Sequence, residues 1–154
     1  MIIISHRGNI DGPDLNQENS PKYLEKAIEL GFEIEIDLWV QDNLKFYLGH
    51  DRPEYLIELK WIENHREKLW IHCKNFLALK ILKDLSLNLN FFWHETDKFT
   101  ITSKGFIWTF PGNPVNKNSI MVYPEHPLNA KFRTEIKSDQ VFGICTDFAE
   151  DYVE

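Results

Sequence analysis

The sequence predicts an α/β fold of alternating strands and helices with mainly parallel strands. A period-two run at residues 32–40 and helical spacing in the segments around it carry this reading. Nothing in the chain reads as an internal repeat, a low-complexity tract or a linker. Residues 1–154 are therefore expected to form a single domain. About eight strand candidates can be counted, which allows a closed (β/α) barrel. Such barrels take ~250 residues, and ~200 at the low end, so this one would be abbreviated, with its outer helices reduced in the second half. An open doubly wound sheet is the alternative.

Each element has its own signal. Ile2–Ser5 is a short β-branched run, followed by a polar loop from Gly8 to Asn19. Ser20-Pro21 reads as an N-cap and a proline at the first helical position. Tyr23, Leu24, Ala27, Ile28 and Leu30 follow at helical spacing, and Gly31 is a natural stop. Phe32, Ile34, Ile36, Leu38 and Val40 alternate with Glu33, Glu35, Asp37 and Trp39, which marks a strand. An Asp42-Asn43 turn leads to a strand at Lys45–Leu48 that ends in Gly49-His50-Asp51. A helix is expected over 54–67, a strand at Leu69–Cys73, a helix over 76–86 and a strand at Phe91–Trp93. Beyond that only short strands are expected, around 106–109, 119–123 and 141–145, with little room for helices between them.

Composition narrows the function. The chain is 43% hydrophobic, ample for a core, and no apolar stretch approaches the ~20 residues of a membrane span. The start, Met1 to Arg7, lacks a basic leader and apolar segment of secretory type, so a cytoplasmic protein without membrane insertion is expected. Seventeen Lys+Arg against 24 Asp+Glu give a net charge of −7, which argues against nucleic-acid binding. Cys73 and Cys145 lie in apolar runs and read as core residues. Motifs for Walker-type phosphate binding, dinucleotide binding and the serine-hydrolase elbow are absent.

Charge falls in a telling place along the strands. Glu35 and Asp37 share one face of the second strand, ~6–7 Å apart, opposite the apolar face of Ile34, Ile36 and Leu38. If that face turns inward, the two carboxylates repel and lose solvation, and a divalent cation compensates them most simply. On an exposed edge strand they would simply be solvated. His6-Arg7 follows the first strand and His50-Asp51 the third, while His72 and Lys74 share a face of the next. These groups converge at the carboxyl ends of consecutive strands, where α/β folds collect catalytic residues.

His6-Arg7-Gly8, Glu18-Asn19, Glu35-x-Asp37 and Gly49-His50-Asp51, in that order, resemble the signature of the glycerophosphodiester phosphodiesterase family. That family is related to the phosphatidylinositol-specific phospholipases C and shares their TIM-type barrel. The resemblance covers about residues 1–75, and Gly143-Ile144-Cys145-Thr146-Asp147 is similar to the family's last strand. It implies an abbreviated TIM-type barrel that hydrolyses a small phosphodiester, with His6 as general base and His50 as general acid. It further implies that Glu35 and Asp37 hold a divalent metal (Mg²⁺, Ca²⁺ or Mn²⁺), that Arg7 and Lys74 clamp the phosphate, and that Glu18 and Asn19 support the site from the first loop. Glu18 is thereby a further candidate for the metal site and Asn19 for substrate.

Two departures from the family are visible. Its usual Glu-x-Lys is His72-Cys73-Lys74 here, making His72 a candidate ligand or substrate contact, with Glu95 and Asp97 as other candidate acids. The family's insertion after the second or third strand is missing. The segments 93–97 and 107–112 could line the site instead, with Trp108 packing on a head group or simply in the core. Loss of outer helices would leave Phe91, Trp93, Phe106, Phe110 and Tyr123 as an apolar patch, from which a homodimer is expected. A phosphodiester-binding protein without turnover and a lyase releasing a cyclic phosphate are the alternative functions.

Overall fold

The computed structural model describes residues 1–130 and 140–153. It is a mixed α/β structure built on one ten-stranded sheet. In chain order the strands and α-helices are β1 (Ile2–His6), α1 (Pro21–Glu29), β2 (Glu33–Val40), β3 (Phe46–Leu48), β4 (Tyr55–Ile57), α2 (Leu59–His65), β5 (Leu69–Cys73) and α3 (Phe76–Asp84). There follow β6 (Asn90–Phe92), β7 (Phe99–Ile101), β8 (Ile107–Thr109), β9 (Ser119–Val122) and β10 (Gly143–Thr146). Two short 3-10 helices cover Pro127–Asn129 and Ala149–Tyr152.

The parallel strands run β6-β5-β2-β1-β10-β9-β8, with neighbours paired throughout. Two antiparallel additions flank this run: β3 and β4 beside β2, and β7 beside β8. Beyond His6 the chain turns away, and β3 takes over the edge of β2 that β1 leaves. Arg7 N donates to Glu35 O, and two residues along the same edge Gly49 N donates to Asp37 O. This sets His50 directly beyond His6 and Arg7. Gly49 makes the turn possible: its φ is +145°, and a Cβ there would run into the carbonyl oxygen of Arg52.

The two faces of the sheet are filled differently. On one, Ile34, Ile36 and Leu38 of β2 and Ile71 and Cys73 of β5 pack on Leu24, Ala27, Ile62, Ala78 and Leu82 from the three helices. On the other, Ile4, Trp70, Phe92, Trp108, Ile120, Val122 and Cys145 form a separate cluster drawn from six strands. Phe92 stacks on Trp108 with centroids 4.6 Å apart, although β6 and β8 share no ladder. The segment after β7 spans this gap, with Ser103 N donating to Phe91 O and Phe91 N to Ser103 Oγ.

Several expectations need correction. The stretch 54–67 is not one helix: Pro53 precedes a short strand, β4, which pairs with β3, and the helix begins only at Leu59. β7 was not anticipated either. The aromatic patch is also different from expectation. Phe91, Trp93 and Phe106 are half-buried, Tyr123 turns into a cavity, and only Phe110 is exposed. On the edge strand β7, Phe99 and Ile101 are exposed. Among the described residues, the elements after α3 are strands and 3-10 helices, as the reduced-helix reading expects. Ser20 stands at the N-cap of α1, but its side chain makes no capping bond.

Candidate functional site

The carboxyl ends of β1, β2, β5 and β10 bring the polar residues together on the face opposite the helices. Parallel register sets His6 beside Glu35 and Asp37 beside His72. His6 Nδ1 lies 2.7 Å from Asp147 Oδ1, just past β10. A carboxylate only accepts, so Nδ1 carries the proton and Nε2 is left for the cavity. Burial works against the imidazolium, but the Asp147 hydrogen bond and the Glu35 charge outweigh it and raise the His6 pKa above its ordinary value. Asp147 is held low: burial opposes its ionisation, and the His6 bond overcomes that. Asn9 Nδ2 bridges Asp147 Oδ1 and Glu18 Oε1, at 2.8 and 2.9 Å.

Next to this pair is a knot of buried charge. Arg7 Nε is 2.8 Å from Asp37 Oδ2 and Arg7 Nη1 is 3.2 Å from Glu18 Oε2. Lys74 Nζ is 3.3 Å and His72 Nδ1 3.1 Å from Asp37 Oδ1. Burial would push Asp37 up, yet the His72 bond and the charges of Arg7 and Lys74 hold its carboxyl well below the usual range. Glu35 is pushed the other way, chiefly by burial and then by the Asp37 charge. Its Oε2 is buried without a hydrogen-bond partner. Glu35, Asp37 and His72 each offer one ligand atom, all within 4.8 Å of one another, so they form a possible metal-binding triad. His72 is oriented for that role: Nε2 lies 2.8 Å from the His94 carbonyl oxygen, to which it donates, and Nδ1 faces both carboxylates.

These residues open onto a cavity of about 290 Å³ lined by His6, Arg7, Glu35, His72, Lys74 and Tyr123, together with His94, Trp108 and Phe110. His50 stands at the rim, with its side chain 44% exposed and its Nδ1 2.6 Å from Asp51 Oδ1. Burial and the nearby Arg7 charge lower its pKa. Arg7 and His50 also line an adjoining cavity of about 360 Å³.

The other residues singled out in the sequence are placed as follows. Asn19 is fully buried, and its side chain holds Asp37, donating to Oδ2 and accepting from the Asp37 amide. Glu18 is engaged by Arg7 and Asn9 and lies outside the triad. Trp108 edges the cavity but is buried against Phe92 and Trp70, so its ring belongs to the core. Glu95 also lines the cavity, whereas Asp97 is exposed and its Oδ2 stands 3.9 Å from His94 Nδ1. Cys73 is inert packing, with burial pushing its thiol up to about 12.

Sequence reasoning passed over Asn9 and Tyr123 as site residues, and saw Asp147 only as part of a strand end. Of these three only Tyr123 carries a conformational mark, one it shares with the predicted site residues Arg7 and Asn19. Arg7, Asn19 and Tyr123 all have positive φ, at 55°, 63° and 47°, in a conformation that side-chain-bearing residues rarely adopt. Compared with protein-family models, curated proteins and solved structures, the chain matches none.

Proposed function

We propose that the chain is a metal-dependent phosphodiesterase that cleaves a small phosphodiester with His6 as general base and His50 as general acid. The observation that carries this reading is the Asp147–His6 pair, in which Nδ1 is held by Asp147 and Nε2 is left for a cavity that also holds a carboxylate–histidine triad and two cations. A mere anion-binding site needs Arg7 and Lys74 but has no use for an imidazole locked in one tautomer.

The triad fits a divalent ion. Glu35 Oε2 is buried without a hydrogen-bond partner, and among the described residues four carboxylates (Glu18, Glu35, Asp37 and Asp147) share two permanent cations, Arg7 and Lys74. A nitrogen ligand from His72 favours Mn²⁺ over Mg²⁺ or Ca²⁺. When bound, the ion supplies positive charge that offsets the charge developing on the phosphoryl oxygens. The protein's own groups do the rest. His6 Nε2 takes the proton from the attacking hydroxyl as its oxygen bonds to phosphorus. His50 gives a proton to the departing alkoxide as the other P–O bond breaks. Arg7 and Lys74 hold the non-bridging oxygens, and Asp147 keeps the His6 ring in orientation.

On the same reading the parallel strands curl into an abbreviated barrel with a seam between β6 and β8. The six-strand apolar cluster and the Ser103–Phe91 bonds support this closure.

The test is hydrolysis of bis(p-nitrophenyl) phosphate and a panel of glycerophosphodiesters in EDTA, Mg²⁺, Ca²⁺ and Mn²⁺. Turnover restored by Mn²⁺ and lost in His6→Ala and His50→Ala is the expected result. No turnover with any ion would overturn the reading. A cyclic phosphate as final product in ³¹P spectra would make the protein a lyase.

A further inference from the structure

Tyr123 follows β9 and carries the positive φ that a bulky aromatic residue adopts least readily. Such strain persists where neighbours over-determine it. Here Tyr123 N donates to Cys145 O at 2.8 Å, and its carbonyl accepts from His126 N at 2.9 Å and from Asn129 Nδ2 at 2.8 Å. Asn129 is itself buried and fixed, donating also to Val122 O and accepting from Gly112 N. The 3-10 turn at Pro127–Asn129 thus clamps the bend from below.

The bend delivers the phenol to His6. Tyr123 Oη lies 3.2 Å from Nδ1 and 3.1 Å from Nε2, with the two rings nearly perpendicular at 76°. An oxygen equally far from both ring nitrogens is on the in-plane direction of neither. The hydroxyl therefore sits off the imidazole plane, leaves the Asp147 bond intact and does not consume Nε2. It lines the same cavity as Arg7 and Lys74. Burial, and then the Asp147 charge, holds the phenol above its ordinary range, so it is a hydroxyl donor rather than a phenolate.

We propose that Tyr123 is a third catalytic residue: its hydroxyl donates to the non-bridging oxygen of the phosphoryl group that lies against His6. This rests on the phosphodiesterase reading above and adds to it a neutral donor beside the base. Such a donor stabilises charge that grows in the transition state without competing with His6 for the transferred proton.

Tyr123→Phe keeps the ring and its packing and removes one oxygen. Two measurements separate the possibilities: steady-state hydrolysis of bis(p-nitrophenyl) phosphate with Mn²⁺, and calorimetric titration of the metal-free protein with inorganic phosphate. The expected result is a fall in kcat on the order of 10²-fold with KM little changed, together with weaker phosphate binding. A packing role alone would leave kcat and phosphate affinity as they are, and that outcome overturns the proposal while the enzyme reading stands. If the wild-type protein turns over nothing yet Tyr123→Phe weakens phosphate binding, the Tyr123 contact survives and the enzyme reading fails. Tyr123→Leu, which loses both ring and hydroxyl, is the control. Phosphate affinity weakened equally in the Leu and Phe variants assigns the contact to the oxygen, and a loss seen only in Leu overturns it.

Discussion

Asp147 and His6 stand 141 positions apart in the chain, yet their side chains make one of the shortest polar contacts in the site. Because His6 binds its proton more tightly folded than unfolded, folding takes up a proton over a window starting at the unfolded value of ~6.5 and ending at the raised native one. The stabilisation is complete below that window and is lost as pH rises through it. Asp147 has the opposite sign: its contribution is full above the unfolded carboxylate value and fades as pH falls through its depressed native one. In EDTA, the melting temperature of the wild-type protein is therefore expected to decline as pH rises above about 6.5. Asp147→Asn, which weakens the pull on the imidazolium, should flatten that decline. The same variant should lose roughly 10²–10⁴-fold in phosphodiesterase rate, because His6 is no longer held in the useful tautomer. Identical pH slopes in the two proteins would refute the pairing as the cause.

At the scale of elements, the β3–β4 hairpin carries His50 to the rim. It depends on Gly49, whose Cβ-free backbone fits against Arg52 O. Gly49→Ala must open that turn, at a cost of roughly 1–3 kcal/mol, and carry His50 away from the cavity. A lower urea midpoint together with lost turnover is expected, and an unchanged midpoint with full activity would show that the turn tolerates a side chain. Much of this half was legible beforehand. β2 and β5 declare themselves because each buries one apolar face, and period-two alternation is enough to set Glu35, Asp37, His72 and Lys74 on the other. α1 and α3 declare themselves by spacing. β4 and β7 did not, since three-residue strands exist only through the partners they pair with, and Tyr55-Leu56-Ile57 fits a helix equally well in isolation. Asn9, Tyr123 and Asp147 were hidden for a related reason. Their meaning lies in convergence across β1, β9 and β10, and the left-handed turn at Tyr123 leaves no mark in residue type.

For the molecule as a whole, the site is a liability that a cation relieves. The chain already carries a net charge of −7, and it sequesters Glu35 beside Asp37 with one carboxylate oxygen unsatisfied. Like charges in a desolvated place oppose folding, so the metal-free protein holds stability in reserve. Two consequences can be separated by one variant. Glu35→Gln keeps the shape and removes the repulsion, so in EDTA it should melt higher than the wild type. Mn²⁺ at 100 times its dissociation constant should stabilise the wild type by about 2.7 kcal/mol, because it binds the folded chain alone. The variant, with one ligand oxygen gone, should gain far less, and the order of the two melting temperatures should invert on adding the ion. Equal stabilisation of both proteins by Mn²⁺ would place the ion elsewhere on this acidic surface. A variant that melts lower than the wild type in EDTA would instead mean that Glu35 stabilises the fold through its charge beside His6 and His72, at 3.9 and 3.8 Å, without any ion.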